Sequence, residues 1–323
     1  MKNAFVTVFT ALAITLTTEA AGQSSFPDRP VRMVVSAAAA GGTDIIARLV
    51  ARHLGDVWGQ PVIVENKTGA GGNIAAQFVT RSKPDGYTLF VSFGGVITIN
   101  PYLYAEMGFD PIKDLTPVTN LATAPYVLAV NPTMVPANSV ADFVAFAKAS
   151  PTDLSWGSTA KGSPDHLAGE LFSSMAGFPA THIPYKGGAD ALVDVLGSRI
   201  PYGFFTIPTS LSHLKSGQLK ALGISDRKRA SLLPDVPPLS DTLPGYEVLT
   251  WYGVWAPAGT PTGVVTKIQA DIKKVLETDA VKRQLADGGF DVVGDSPSAF
   301  AAFIKNESEK YGRIISRLGL KKN

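Results

Sequence analysis

Residues 31–44 read Val-Arg-Met-Val-Val-Ser-Ala-Ala-Ala-Ala-Gly-Gly-Thr-Asp, a β-branched run followed by a turn of small residues. Apolar residues at helical spacing come next, from Ile45 to Leu54. This order predicts a strand, a glycine-rich turn and a helix. It recurs after residues 62–64, where Gly69-Ala70-Gly71-Gly72 precedes a predicted helix over 73–81. Strands that alternate with helices at this spacing predict an α/β fold built on a parallel sheet.

The same alternation continues along the 323 residues, a length that accommodates about two domains. Residues 251–256 are interpreted as a strand that returns to the first sheet, so that two lobes are joined by two crossovers. The predicted lobes comprise residues 23–124 with 247–323, and residues 125–246. Further strands are predicted at 87–92, 126–130, 154–156, 200–206 and 221–224, and further helices at 140–149, 164–175, 189–196, 261–277, 280–287 and 298–318.

The first residues predict an export signal. Lys2 precedes an apolar run from Ala4 to Leu16, and Ala20-Ala21-Gly22 offers small residues for a cleavage site. The run is shorter than the roughly 20 residues that span a bilayer. We therefore expect a signal peptide over residues 1–22, cleaved near residue 22, and a mature protein in the periplasm.

Composition and charge exclude several function classes. The 29 Lys and Arg nearly balance the 27 Asp and Glu, so binding to nucleic acid through bulk charge is not expected. The chain has no cysteine, which excludes disulfides, thiolate catalysis and cysteine-based zinc sites. Its four histidines lack the spacing of a metal site, and neither the dinucleotide fingerprint nor the P-loop motif occurs. We therefore expect no metal and no cofactor.

Five turns rich in glycine, alanine or serine follow predicted strands and precede helices, at residues 38–43, 69–73, 92–95, 158–163 and 186–189. Glycine lets the backbone approach a ligand, and helix N-termini present unpaired N–H groups with partial positive charge. In open α/β sheets such turns lie at the carboxyl ends of the strands, where ligands bind. Two facing lobes would direct several turns into one cleft. The sequence therefore predicts an anion site, suited to a carboxylate, that needs no lysine or arginine.

An exported serine hydrolase is an alternative, with Ser158 or Ser163 as nucleophile and His166 as base. No carboxylate at motif spacing identifies His166 as a base, and no Gly-x-Ser-x-Gly elbow occurs. A third hypothesis is a ligand-sensing protein that acts on a partner and has no transport role.

Seven motifs stand in order along the chain, at residues 26–32, 42–44, 64–72, 82–89, 162–168, 184–188 and 251–261. Together they resemble the extracytoplasmic solute receptors of tripartite tricarboxylate transporters, the Bug-type periplasmic binding proteins. The resemblance implies a two-lobed Venus-flytrap fold, type II-like, with a ligand cleft between the lobes. It also implies a monomeric receptor that captures a small carboxylate and passes it to membrane transport subunits.

The resemblance implies where the ligand binds. One carboxylate would be held through backbone groups and bridging waters at residues 38–43, and the other end would meet the second lobe near 158–163 and 185–188. The candidate ligand-binding residues come from these turns and from the end of one strand: Ala37, Ala38, Ala39, Gly41, Thr43, Ser92, Gly94, Ser158, Gly162, Ser163, His166, Tyr185, Gly187, Gly188, Phe204 and Phe205.

Two departures from the family pattern bear on the ligand. The family usually has proline and an aromatic residue where this chain has Ser36 and Ala37, and relatives often have Asp-Asn at residues 205–206, here Phe-Thr. Without the aromatic ring the site has room for a larger ligand. Without the acid it lacks a partner for the ammonium group of an amino acid. We therefore expect an aromatic dicarboxylate such as terephthalate. The rings available to stack on it are Phe204, Phe205, Trp251 and Tyr252.

Overall fold

The computed structural model describes residues 26–159, 161–185, 187–320 and 322. The expected signal peptide, residues 1–22, lies outside the described residues. Across these ranges no helix is both long and apolar enough to cross a membrane.

The strands and helices alternate through most of the chain. The strands are β1 (Val31–Val35), β2 (Val62–Asn66), β3 (Thr88–Phe93), β4 (Leu115–Val130), β5 (Leu154–Ser158), β6 (Ala180–Pro184), β7 (Tyr202–Thr206), β8 (Lys220–Ile224), β9 (Leu249–Pro257) and β10 (Asp291–Val292). The helices are α1 (Gly42–Trp58), α2 (Asn73–Thr80), α3 (Gly95–Thr98), α4 (Asn100–Leu103), α5 (Val140–Ala149), α6 (Pro164–Ala176), α7 (Gly188–Leu196), α8 (Ile207–Lys215), α9 (Thr262–Glu277), α10 (Asp279–Asp287) and α11 (Pro297–Arg317).

The sheet of the first lobe is mixed. β1 lies between β2 and β3 and pairs with both in parallel, whereas β9 lies antiparallel between β3 and β4. In this lobe the expected parallel sheet is therefore correct for β1 to β3 and wrong for β4 and β9. Successive side chains of β1 point to opposite faces of the sheet. Val31, Met33 and Val35 therefore pack under α1 and α9, whereas Val34 packs under α2.

The second lobe repeats the two-faced packing around its own strands. β5 pairs in parallel with β6 and β7, and the last five residues of β4 lie between β7 and β8, antiparallel to both. One face packs on α5 and α6 around Phe143 and Phe172, and the other packs on α7 around Leu192. Each lobe therefore buries hydrophobic side chains on both faces of its sheet.

Two crossovers join the lobes, as the sequence predicts. The first is β4 itself, which pairs with β9 as far as Pro125↔Leu249 and with β7 from Tyr126↔Thr206 onward. The second returns from β8 to β9 through residues 225–248. The strand over 251–256 does rejoin the first sheet, as β9. The residue boundaries of the two lobes remain a prediction.

Ser225 links the two crossovers directly. It is fully buried; its hydroxyl accepts the Tyr126 N–H at 2.7 Å and donates to the Val248 carbonyl at 2.6 Å. Its backbone N–H and C=O bond the same two residues, at 2.8 and 3.0 Å. Four hydrogen bonds to one residue thus fix the distance between the two crossing segments.

Replacement of Ser225 by alanine is expected to lower the free energy of unfolding by about 2–4 kcal/mol, because a buried N–H and a buried C=O each lose a partner. Urea unfolding followed by circular dichroism measures the change. Ser231→Ala is the matched control, because Ser231 is exposed, and is expected to change stability by less than about 0.5 kcal/mol. Equal stability of the two variants would contradict the assigned role of Ser225.

Candidate functional site

The turn between β1 and α1 is held from one side by polar side chains. Asn66, at the end of β2, donates from Nδ2 to the Ala37 carbonyl at 2.9 Å and to Asp44 Oδ1 at 2.8 Å. Asp44 Oδ2 accepts the Ala40 N–H at 2.9 Å and Arg48 Nε at 2.9 Å. Ala40 has a φ of 64°, in the left-handed region that non-glycine residues rarely adopt. The network therefore fixes a strained turn in one conformation.

The same contacts set the charge state of Asp44. Burial raises the pKa of this carboxyl, but the hydrogen bonds from Arg48, from the Ala40 N–H and from Asn66 outweigh burial and hold the pKa below its ordinary value. Asp44 is therefore a carboxylate throughout the neutral range, and it lies in the first turn of α1, where a negative charge is favourable.

Five of the predicted ligand-binding residues lie in this turn or at its edges. The side chains of Ala38 and Ala39 are exposed, Ala37 is half-buried and Thr43 is buried. The Gly41 N–H donates to the Ala38 carbonyl at 3.3 Å. Among the hydrogen bonds between described residues, none uses the backbone N–H of Ala38 or Ala39. These two N–H groups therefore remain able to bind an anion.

Ser92 and Gly94 support the turn from the end of β3. Ser92 is fully buried; its Oγ lies 2.7 Å from Ser36 Oγ and 3.0 Å from the Phe93 carbonyl. The Gly94 N–H donates to the Trp251 carbonyl at 2.8 Å, and a Cβ at Gly94 would lie 2.0 Å from the indole. Both residues are therefore already partnered within the first lobe.

In the second lobe, the turn between β5 and α6 is closed by the first residues of α6. Asp165 Oδ2 accepts the Thr159 N–H at 2.6 Å, and His166 Nδ1 accepts the Gly162 N–H at 3.0 Å. Ser163 caps α6 by accepting the His166 N–H at 3.4 Å. Gly162 has a φ of 86°, and a Cβ there would lie 2.4 Å from Leu103 of α4. Glycine is therefore required where this turn meets α4.

Two histidine rings pack against each other next to this turn. The rings of His166 and His182 have centroids 4.1 Å apart, and His182 also packs on Trp156 at 4.7 Å. Burial lowers the pKa of His182 to about 4, with the nearby His166 as the next cause. His182 is therefore neutral at pH 7, and its Nε2 lies 2.6 Å from Ser158 Oγ.

This geometry does not favour the hydrolase alternative. His166 Nδ1 accepts a backbone N–H, and its Nε2 faces Glu170 at 3.5 Å, so neither ring nitrogen is directed at Ser163. Ser158 has a histidine partner, but its side chain is 1% exposed. A nucleophile must reach its substrate, and Ser158 is enclosed.

The second predicted turn of the second lobe adjoins the β5–α6 turn through Tyr185 and Gly188. The Tyr185 N–H donates to the Ser158 carbonyl at 2.9 Å, and a Cβ at Gly188 would lie 3.6 Å from Thr159 Oγ1. Gly187 is the extended residue before α7. The Tyr185 hydroxyl, however, donates to Asp194 at 2.8 Å. Tyr185 therefore contributes its backbone to this corner, while its hydroxyl is engaged within the lobe.

The structure corrects the expectation of a stacking wall. Phe204 and Phe205 are 1% and 2% exposed and belong to different core clusters. Successive side chains of a strand point to opposite faces of the sheet, so the two rings cannot line one wall. Trp251 is also buried, under Gly94. Tyr252, the fourth ring proposed from the sequence, is 4% exposed and also belongs to the core of the first lobe, but its hydroxyl would lie 2.7 Å from a Cβ on Gly42.

The two lobes meet at a polar cluster that includes Tyr126, Thr250, Tyr252 and Asp165. A Cβ on Gly42, at the start of α1, would lie 2.7 Å from the Tyr252 hydroxyl. Burial raises the pKa of Tyr252 to about 12, and the charge of Asp165 adds to this rise while Thr250 opposes it. Burial likewise raises the pKa of Tyr126, again with Asp165 adding to the rise. The N-terminus of α1 therefore lies beside the Tyr252 hydroxyl, and the charge of Asp165, in the first turn of α6, acts on both tyrosines.

Sequence reasoning did not identify Tyr126, Thr250 or Asp165 as site residues. Thr250 and Tyr252 are two residues apart on β9 and therefore share a face. Asp165 stands between the predicted residues Ser163 and His166, so its position in the first turn of α6 was the available signal. Tyr126 belongs to no sequence motif, and only the pairing of β4 with its neighbouring strands brings it to this position.

Known proteins are similar to this chain in sequence and in fold. A family model described as the tripartite tricarboxylate transporter family receptor matches residues 46–320. The solved structure of Rpa4515 from R. palustris with adipate is 34% identical, with a TM-score of 0.86, and the match covers 92% of this chain and 100% of that chain. The periplasmic binding protein BugD is 31% identical, with a TM-score of 0.82 and coverage of 92% and 100%.

MatC from Rhodopseudomonas palustris, solved with bound malate, is 30% identical, with a TM-score of 0.80 and coverage of 90% and 100%. The family model spans most of the chain, and these structures match it over nearly their whole length. The chain belongs to the tripartite tricarboxylate transporter receptor family.

Proposed function

We propose that this chain is a periplasmic receptor that binds a small dicarboxylate between its lobes and delivers it, as a monomer, to the membrane subunits of a tripartite transporter. The observation that carries the proposal is that the turn before α1 has unpaired backbone N–H groups at Ala38 and Ala39 among the described residues, while Asp165, at the start of α6, acts on Tyr252, whose hydroxyl lies beside the start of α1. Two helix N-termini that face one crevice favour a ligand with a negative charge at each end.

The first carboxylate is proposed to bind the turn over 38–43. Its free N–H groups at Ala38 and Ala39 lie just before α1, and the Asp44 network holds the turn in place. The second is proposed to bind the turn over 158–163, next to 185–188. Relatives support the ligand class, because one was solved with adipate and another with malate.

Isothermal titration calorimetry tests the proposal with adipate, malate and terephthalate. Adipamide, which has the length of adipate without its charges, is the control. We expect binding of at least one dicarboxylate and none of adipamide. At a hundredfold excess over Kd the ligand is expected to stabilise the protein by about 2.7 kcal/mol. No heat and no thermal shift with any carboxylate would contradict the proposed function.

Terephthalate remains the proposed ligand within this class, since Ala37 leaves room where the family usually has an aromatic ring. With Phe204 and Phe205 in the cores, Tyr252 and Tyr126 are the rings proposed to contact it. Trans-cyclohexane-1,4-dicarboxylate keeps the carboxylate spacing without a π face. We expect terephthalate to bind about 2- to 13-fold tighter, which corresponds to an aromatic contact of about 0.5–1.5 kcal/mol. Adipate binding as tight as terephthalate would contradict the aromatic preference.

The Asp44 network predicts a second effect on binding. Asp44→Asn removes the charge that holds Arg48 and replaces one acceptor oxygen by a donor, so the turn loses part of its support. We expect about a tenfold weaker dicarboxylate affinity by calorimetry, since hydrogen bonds to charged groups contribute about 1.5–3 kcal/mol. Asp56→Asn is the control, because Asp56 is exposed on the same helix. Equal affinities of the two variants would contradict the positioning role.

The carboxyl group of Asp44 also predicts how the stability of the protein depends on pH. Its folded-state pKa lies below the ordinary value of about 3.9. The stabilisation by Asp44 is therefore present above about pH 4 and is lost as the pH falls through the lower folded-state value.

A receptor that signals without transport would share this site. Growth of a deletion strain on the bound dicarboxylate separates the two roles, because loss of uptake is expected only for a transport receptor.

A further inference from the structure

The helix α11 connects the two lobes in addition to the crossovers. In its first half, Phe300 and Ile304 pack in the core that α2 and α3 share with the sheet of the first lobe. In its second half, Tyr311 and Ile315 pack in the core that α5 and α6 form in the second lobe. All four side chains are at most 3% exposed. The two halves of one helix are therefore anchored in different lobes.

The short helices α3 and α4 cross between the same two cores. Ile97 of α3 lies in the core of the first lobe, whereas Ile99 and Leu103 lie in the core of the second. Leu103 is 4% exposed, and a Cβ on Gly162 would lie 2.4 Å from its Cδ1. This segment therefore extends from the first lobe to the proposed ligand-binding turn of the second.

The two crossing segments also contact each other. Tyr102 Oη lies 3.2 Å from Ser308 Oγ of α11, and a Cβ on Gly312 would lie 2.8 Å from the Tyr102 ring. The Tyr311 hydroxyl donates to the Leu249 carbonyl at 3.1 Å, where β9 begins. Residues 95–103 and α11 therefore form one packed unit, here named the interlobe bridge.

We propose that the interlobe bridge limits how far the lobes separate when no ligand is bound, and that Leu103 is its positioning residue. Wide separation withdraws Ile99 and Leu103 from the core of the second lobe and exposes them to water, which is unfavourable. Leu103 thereby holds the turn over 158–163 close to the first lobe. A site that is ordered before its ligand arrives loses less free energy on binding. The inference rests on the proposed function only where it concerns ligand affinity.

A purely structural role for Leu103 makes a different prediction. Leu222 is 2% exposed in the same core and lies on β8, a strand of the second lobe. Replacement of either leucine by alanine leaves a cavity and lowers the free energy of unfolding. If Leu103 only fills the core, both variants lose stability and keep the wild-type separation of the lobes. The proposal requires that Leu103→Ala also separates the lobes.

Distances between two spin labels, measured by double electron–electron resonance, test the inference. The chain has no cysteine, so Arg81→Cys and Ala145→Cys provide one label site on each lobe. Both residues are exposed, and they lie at the end of α2 and on α5, the helices that pack on the two cores joined by the bridge. Without ligand, Leu103→Ala is expected to lengthen the mean distance by at least about 2 Å. Leu222→Ala, the matched control, is expected to keep the wild-type distance.

Ligand affinity gives a second readout. The apparent Kd rises as the population of the binding-competent arrangement falls. The probe is whichever of adipate, malate and terephthalate the wild-type protein binds most tightly. Calorimetry is expected to show at least about threefold weaker binding by Leu103→Ala, and an affinity within about twofold of wild type for Leu222→Ala. Saturation with the same ligand is expected to return the label distance of Leu103→Ala to that of the liganded wild-type protein.

The inference is overturned if Leu103→Ala and Leu222→Ala have the same label distance without ligand. If Leu103→Ala does not fold by circular dichroism, Gly312→Ala replaces it under the same criterion, because the added Cβ presses on the Tyr102 ring. Its control is Gly263→Ala, since a Cβ at Gly263 would meet no atom within 4 Å. Absence of binding of every dicarboxylate would instead count against the proposed function, and the ligand-free distances would still decide the inference.

Discussion

The antiparallel pairing of β4 with β9 is the constraint on which the rest of the structure depends. These two strands carry the chain between the lobes, and their register places Ala122 opposite Tyr252 and Ala124 opposite Thr250. Small residues on β4 leave room above β9 at those positions. Ser225 then ties the next residue pair, Tyr126 and Val248, so the tyrosines hold a fixed separation as the crossovers leave the first lobe. The positions of Tyr126 and Tyr252 are therefore set by backbone pairing and not by the loops of the proposed site.

Each of the two turns proposed to bind the ligand is stabilised by an acidic residue in the first turn of the helix that follows. Asp44 accepts the Ala40 N–H in the first lobe, and Asp165 accepts the Thr159 N–H in the second. Asp44 also has Arg48 and Asn66 as partners, so its charge is compensated. The first turn can therefore accept an anion at low electrostatic cost.

Much of the fold follows from the sequence, and the exceptions have physical causes. The helix α5, Val140–Ala149, which Ser139 caps, is predicted with correct bounds. The first eleven residues of β4 are missed because Pro117 and Pro125 interrupt them, and both prolines are tolerated where the strand is irregular or changes its partner. The helix α8 is missed because it begins with Ile207-Pro208 directly after β7, with no turn between them. The antiparallel pairing of β9 with β3 and β4 depends on tertiary contacts, which local sequence patterns do not encode.

The proposed site, like the fold, can be predicted from the sequence only in part. Its glycine-rich turns are contiguous in sequence and carry a recognisable signal, so they are predictable as candidates, whereas Tyr126, Thr250 and Asp165 belong to three separate elements and meet only after the lobes form. The aromatic wall failed for a related reason: alternation along β7 sends Phe204 and Phe205 into opposite cores.

The rings near the proposed ligand are therefore tyrosines, and their hydroxyls change the chemistry of the crevice. Phenylalanine rings at these positions would offer a ligand only apolar contact area. Tyr126 and Tyr252 combine a ring face with a donor, and burial holds both hydroxyls in their neutral form. The ligand proposed for this site is a dicarboxylate, with charge at its two ends and a neutral body between them.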